Sequence, residues 1–429
     1  MADYFVDSRA TGANDGAVGD AVAGTTSSEV VTDAWQSIAD IGTLAAGDTV
    51  TFVRGSGPYE EALNIKRNGT AAAPMKWYLN GNLGSSDGVV IRAGDDLNAK
   101  SGAQWVASSG GTNEYYFTIS GGNPTLVEAK CGTVNNYYRG SSAEAARERQ
   151  TPGSITTNHA WGWGDNDTLG YSTIYIRVDS GTPADLDIIM SQRNYVLDAN
   201  WNNHIFYDAD FRYGNFACVR PRHASGTRWD FINPFLAFAE NEGINVQGSG
   251  RTNVFNPRGS WCGHRFVSAN YAGTPDLLIV NGVERGAHLS FLLGSLLTGG
   301  SFRVFGFIGE DNEAGAMDFQ AGSSAAFEEN NNCWYPRMTA SAGALAYNGS
   351  STQWPRTSII DVPDYHDTTE SNQANLIDPE FKTTTEGHLN PSDFELKASS
   401  PLSGRSIGYV DHSASAGAAG GIIGSPIIG

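Results

Sequence analysis

From about Asn194 onward the sequence repeats, and that repeat restricts the fold more than any other feature. Short apolar runs recur at Ala217-Cys218-Val219, Ile244-Asn245-Val246, Arg265-Phe266-Val267, His288-Leu289-Ser290, Ala316-Met317-Asp318 and Ala344-Leu345-Ala346. They stand roughly 21 to 29 residues apart, the length of one coil of a solenoid. A second marker precedes most of them: Asp210-Phe211, Asn233-Pro234-Phe235, Asn256-Pro257, Asn281-Gly282 and Phe305-Gly306. Markers this close leave no room for an α-helix between them. Each coil reads as turn, strand, turn, strand. Asn side chains at equivalent corners can then bond amide to amide from coil to coil, as a ladder inside the turn. The fold class expected is all-β, a parallel β-helix whose coils satisfy one another's backbone groups.

The rest of the chain divides by pattern. Residues 1–95 read as a cap and first coils, with strands at DTVTFVRG and PMKWYLNG and a short capping helix over TDAWQSIADIG, N-capped by Thr32 and stopped at Gly42. Residues 96–190 are rich in aromatics and contain the strand STIYIRVD; they read as a β-rich module inserted on the side of the body. SAEAARERQ within it reads as a charged helical turn or loop. Residues 191–350 are the central coils, and 351–429 a closing segment and tail.

Composition narrows the function classes. The net charge of −19 repels nucleic acid and anionic membranes. No window reaches the ~18 apolar residues of a membrane span. The four cysteines form no C-x-x-C, and no nearby His completes a zinc pattern; buried free thiols are expected, with no metal and no cofactor. ATGANDG offers oxygen ligands but no full calcium spacing, and reads as a plain turn. The N-terminus has neither a basic stretch nor an apolar core of a signal peptide.

With the coils in place, the chain resembles the right-handed parallel β-helix proteins of the pectate-lyase-like superfamily. YFVDSRATGANDG followed by AWQSIADIGTLAAGDTVTFVRGSGPYEEALNI is similar to their first turns. NHIFYDADFRYGN through EGINVQGSG is similar to their internal coils, and DPEFKTTTEGHLNPSDFELKASSPLSGRSIG to their closing segment. Together these cover about two thirds of the chain. The resemblance implies a right-handed solenoid. With an N-terminus that runs from Met1 almost directly into the first strand, it implies a phage virion protein of tailspike or fibre type, made in the host cytoplasm. Such a protein is expected to be a homotrimer that engages surface polysaccharide and contacts other virion proteins, its tail ASAGAAGGIIGSPIIG packing on a neighbouring subunit. Two alternatives stay open: a secreted polysaccharide lyase or glycoside hydrolase, and a purely structural virion or decoration protein.

Stacked coils supply a ruler for the chemistry. Neighbouring strands lie ~4.8 Å apart, so carboxylates on adjacent coils would suit a retaining glycosidase. The candidate acids are Asp208, Asp210, Asp230, Glu240 and Glu242. A uronate-directed site needs cations instead, and CVRPRHASGTRWD supplies Arg220, Arg222, His223 and Arg228, with Arg251, Arg258, His264 and Arg265 on following coils. These could hold an anionic sugar through bidentate contacts; no lysine base accompanies them. Trp229 and Trp261 are candidate stacking platforms for a sugar face. In FAENEGINVQGSG, Ile244 and Val246 are expected to point inward, with both glutamates in the loop before them.

Overall fold

The computed structural model describes residues 2–16, 30–99, 105–118, 150–191, 193–310, the strands between 317 and 362, and 380–403, short stretches within these excepted. It is a parallel β-solenoid with three faces. Face 1 is a ten-stranded sheet that runs from Asp3–Val6 through Thr49–Phe52, Met75–Tyr78, His204–Tyr207, Arg228–Ile232, Arg251–Phe255, Asp276–Val280 and Ser301–Phe305 to Ala326–Asn330 and Ile359–Val362. Face 2 comprises seven strands of two or three residues, among them Asp210–Arg212, Phe235–Ala237, Arg258–Ser260, Val283–Arg285 and Ile308–Glu310. Face 3 carries Tyr195–Ala199, Ala217–Pro221, Glu242–Asn245, Arg265–Ala269 and Ser290–Gly294 in an eight-stranded sheet.

The corners explain why the chain turns where it does. Between faces 1 and 2, Asp208, Asn233, Asn256 and Asn281 have φ of 51°, 53°, 55° and 52°, and Gly306 takes the same place at 65°. Asn and Asp tolerate this left-handed region better than other non-glycine residues. The expected amide ladder is present: Asn256 Nδ2 donates to Asn233 Oδ1 at 3.0 Å, and Asn233 Nδ2 to Asp208 Oδ1 at 3.1 Å. Between faces 2 and 3 the corner residues are Tyr213, Phe238 and Trp261, again with positive φ.

Inside, identical positions stack. Phe206 lies 4.8 Å from Phe231 with rings 12° apart, and Trp77 continues the stack at 6.2 Å. Ile244 and Val246 both point into the core, as does Val267, the register partner of Ile244. Each such fully buried side chain contributes roughly 1.5–3 kcal/mol. Cys218 and Cys262 are buried free thiols, their pKa pushed up by burial, that of Cys218 to about 12.

Two expectations need correction. Ala217-Cys218-Val219, Ile244-Asn245 and Arg265-Phe266-Val267 do lie on face 3, but Ala217 pairs with Glu242 and Ile244 with Val267, so the alignment slips by two residues at both steps; His288, Leu289, Ala316, Ala344 and Leu345 lie outside the described residues. The helix expected over Thr32–Gly42 is a series of turns: Trp35 bridges Val6 and stacks on Tyr4 at 5.0 Å. Its backbone donors are divided between turn or bridge carbonyls, such as Trp35 N to Phe5 O and Ile41 N to Ile38 O, and side chains. Gln36 N donates to Asn14 Oδ1, and Ile38 N and Ala39 N to the Glu61 carboxylate.

The chain leaves the solenoid at Gly94–Asp96 and returns at Ile189–Ser191, which pair antiparallel. Between them Val106–Ala107, Glu114–Thr118, Thr173–Arg177 and Trp161–Gly164 form a four-stranded antiparallel sheet around Phe117, Ile174 and Ile176. After this excursion His204–Tyr207 pairs directly with Met75–Tyr78. SAEAARERQ, apart from its last residue, and the glycine-rich tail lie outside the described residues. No helix among the described residues is long and apolar enough to cross a membrane.

Candidate functional site

The loops that carry the chain from face 3 back to face 1 stack on one another and leave a groove at that corner. Its volume is 470 Å³, and it is lined by segments of three successive coils: Ser225 to Arg228, Ser249 with Arg251, and Thr274 with Asp276. Thr70, Pro74 and Asn203 close it on the side of the earlier coils. The loops can lie this close because of Gly250, where a Cβ would sit 1.9 Å from His223 Nδ1. Thus the QGSG turn is a packing requirement, and Glu242, ahead of it, is buried on face 3.

The groove edge is charged. Arg228, Arg251 and Asp276 are register partners on adjacent strands of face 1. Arg228 Nε contacts Asp230 Oδ2 at 2.9 Å, and Arg251 Nε contacts Asp276 Oδ2 at 2.6 Å. Asp276 also accepts from Ser301 Oγ at 2.7 Å and Arg303 Nη2 at 3.0 Å. Burial pushes the Asp276 carboxyl up, but the Ser301 and Arg251 hydrogen bonds outweigh it and hold the group below the usual range. Asp230 goes the other way: burial raises it, against a 2.7 Å hydrogen bond from Asn253 and the charge of Arg228.

Beneath the groove lies a buried His–Trp cluster. Trp77 Nε1 donates to His204 Nδ1 at 3.0 Å, so the proton of the neutral imidazole sits on Nε2. His223 stacks on Trp229 at 5.4 Å and lies 3.2 Å from Thr227 Oγ1 and 3.1 Å from Thr252 Oγ1. The Thr227 hydroxyl donates to the Ala224 carbonyl, which leaves His223 Nδ1 as the donor of that pair and Nε2 as an acceptor. Burial drives His204 down to about 3 and His223 to about 4.

The residues singled out from the sequence do not converge on one place. Arg228, Asp230 and Arg251 share face 1; Asp210 and Arg258 are on face 2; Arg220, Glu242 and Arg265 are on face 3. Asp208 is the first member of the corner ladder, and burial raises its carboxyl. Asp210 is held by both Nε and Nη2 of Arg212 at 2.6 Å. Arg220 and Arg222 both grip Asp198, with Arg220 also 3.9 Å above the Tyr195 ring. Glu240 and His264 lie outside the described residues. Trp229 and Trp261 are 0% and 2% exposed, so neither offers a ring face to a ligand; packing between coils claims both.

What the sequence reading missed is the third coil of the groove. Asp276 and Thr274 were legible in principle, since Asp276 falls one coil after Arg251 as Arg251 falls one coil after Arg228. Among the described residues no group of His, Cys, Asp and Glu could hold a metal ion. No protein family and no curated protein matches the chain. A solved structure described as "The complex structure of XylC with xylose" is similar at 10% sequence identity and a TM-score of 0.42, over 77% of this chain and 68% of that one. It is the strand register, and not this likeness, that makes the chain a parallel β-solenoid.

Proposed function

We propose that this chain is the glycan-binding body of a virion protein of tailspike or fibre type, and that it holds surface polysaccharide at the corner groove without cutting it. The groove itself carries the reading. At 470 Å³ it falls in the ~300–1,000 Å³ range of ligand sites, and its hydroxyl, amide and guanidinium lining matches the hydrogen-bonding surface of a sugar. The described candidate acids favour retention without cleavage. Asp208, Asp210 and Asp230 are each engaged by a neighbour, and Glu242 is buried. An acid and a base facing each other across a sugar need to be reachable. The virion role is carried over as an expectation of the sequence reading, and with it come a homotrimer and contacts to other virion proteins.

A glycan array probed with the full chain tests the binding. Bound glycans are expected, with no reducing ends and no unsaturated uronate released on incubation; a blank array removes the reading, and released product turns the binder into an enzyme. A solution mass of one chain instead of three removes the trimer.

A further inference from the structure

The groove edge places two like charges side by side. Arg228 and Arg251 stand directly opposite each other on adjacent parallel strands, about 4.8 Å apart along the stack. Like charges in that relation repel. Each guanidinium meets its own carboxylate through Nε, yet 53% of each side chain's surface remains exposed while it lines the groove. Arg303 adds a third cation beside them, bonded to Asp276. The two opposed guanidiniums at the groove edge stand in a chain whose overall charge is −19. The carboxylate beside Arg251 is already shared, because Asp276 accepts from Arg251, Arg303 and Ser301 together.

From this geometry we infer that the groove selects for an anionic substituent, a carboxylate or a sulfate ester on the glycan, shared between the outer edges of Arg228 and Arg251. The inference rests on the glycan-binding reading and sharpens it. Two forks stacked one coil apart can each give a charge-assisted hydrogen bond to one oxyanion, and that anion cancels their mutual repulsion. The hydroxyls of Ser225 and Ser249 on the same two coils lie within the lining and suit the neighbouring sugar oxygens.

Titration calorimetry with the full chain tests it, using a uronate oligosaccharide, its methyl ester, and a sulfated and an unsulfated neutral oligosaccharide. The acidic forms are expected to bind at least roughly tenfold more tightly than their neutral counterparts, and more weakly as salt rises. Arg228→Gln and Arg251→Gln should each remove roughly tenfold from the acidic ligands only. Arg251→Lys should fall between, having charge without the fork. The unfolding midpoint of each variant separates binding loss from misfolding. Equal affinity for ester and acid, or no change in the Gln variants, overturns the inference and leaves the glycan-binding reading standing. If no glycan binds, the reading has failed and inorganic sulfate becomes the probe. Thermal stabilisation of the wild type but not of the doubly substituted chain then supports an anion site, and equal stabilisation of both, or none, overturns it.

Discussion

At the scale of single residues, the corner between faces 1 and 2 shows how a few side chains fix the path of the backbone. Asn256 supplies both a left-handed φ of 55° and a hydrogen bond to the previous coil. Replacing it with alanine removes both, at about 1–2 kcal/mol for the bond and about 1 kcal/mol more for the backbone. Asn256→Gly keeps the φ and should lose only the first part. Urea midpoints ordered wild type, Gly variant, Ala variant are expected; an Ala variant as stable as the wild type would show that the ladder is incidental. Corner asparagines were readable in advance because Asn-Pro and Asn-Gly recur at one coil's distance. Asp208 was not readable as a ladder member. A carboxylate and an amide look different in a sequence, yet at a corner either can accept the next coil's amide.

At the scale of an element, the His204 and Trp229 rungs of face 1 make folding depend on pH. His204 and His223 are neutral in the fold, at about 3 and about 4, against 6.5 in the open chain. Below 6.5 the unfolded state takes up protons that the folded state refuses. Stability is therefore complete above that value and is lost as pH falls toward 4, by about 1.4 kcal/mol per pH unit for each histidine. Asp208 and Asp230, raised by burial, act with the opposite sign, but only close to the ordinary carboxylate range. Denaturant midpoints should fall steadily from pH 7 to pH 5 and fall less in His223→Gln. A flat profile over that interval would mean that water reaches both imidazoles. Sequence reading counted His223 among exposed sugar-binding cations, because it stands between Arg222 and Arg228 in the chain. The loop after the strand Ala217–Pro221 settles the matter otherwise: Arg222 is exposed while His223 is buried against Trp229.

At the scale of the whole molecule, the closing segment is more than an end. Phe381, Phe394 and Leu402 pack on the outside of face 2 with Phe235, Val283 and Ile308. Arg285, 1% exposed, fastens it: its Nε pairs with Glu310, its Nη1 bonds the Asp393 carbonyl, and its guanidinium lies 4.3 Å from the Phe381 ring centroid. Removing one member of a buried pair costs about 3–5 kcal/mol. Arg285→Ala should therefore lower the melting temperature and speed proteolysis between 380 and 402. Unchanged proteolysis would show that the apolar contacts hold the segment alone. The likeness of this segment to a closing strand was visible in its residues. Its fastening to face 2 by an arginine more than a hundred positions earlier was not, because contacts across that separation leave no local pattern.

The sequence by itself determined that the chain coils, roughly how long each coil is, and that Asn233, Asn256 and Asn281 mark one of its corners, because a repeat of backbone turns writes itself into spacing and into Asn and Gly. Only the tertiary structure decided which charges remain available to a ligand. An ion pair within one strand absorbs Asp210, ion pairs between neighbouring coils absorb Arg220 and Arg222, and packing buries Trp229 and Trp261. What stays open to solvent at the corner groove is Arg228 and Arg251, because strand register places them opposite each other with only one side of each guanidinium engaged.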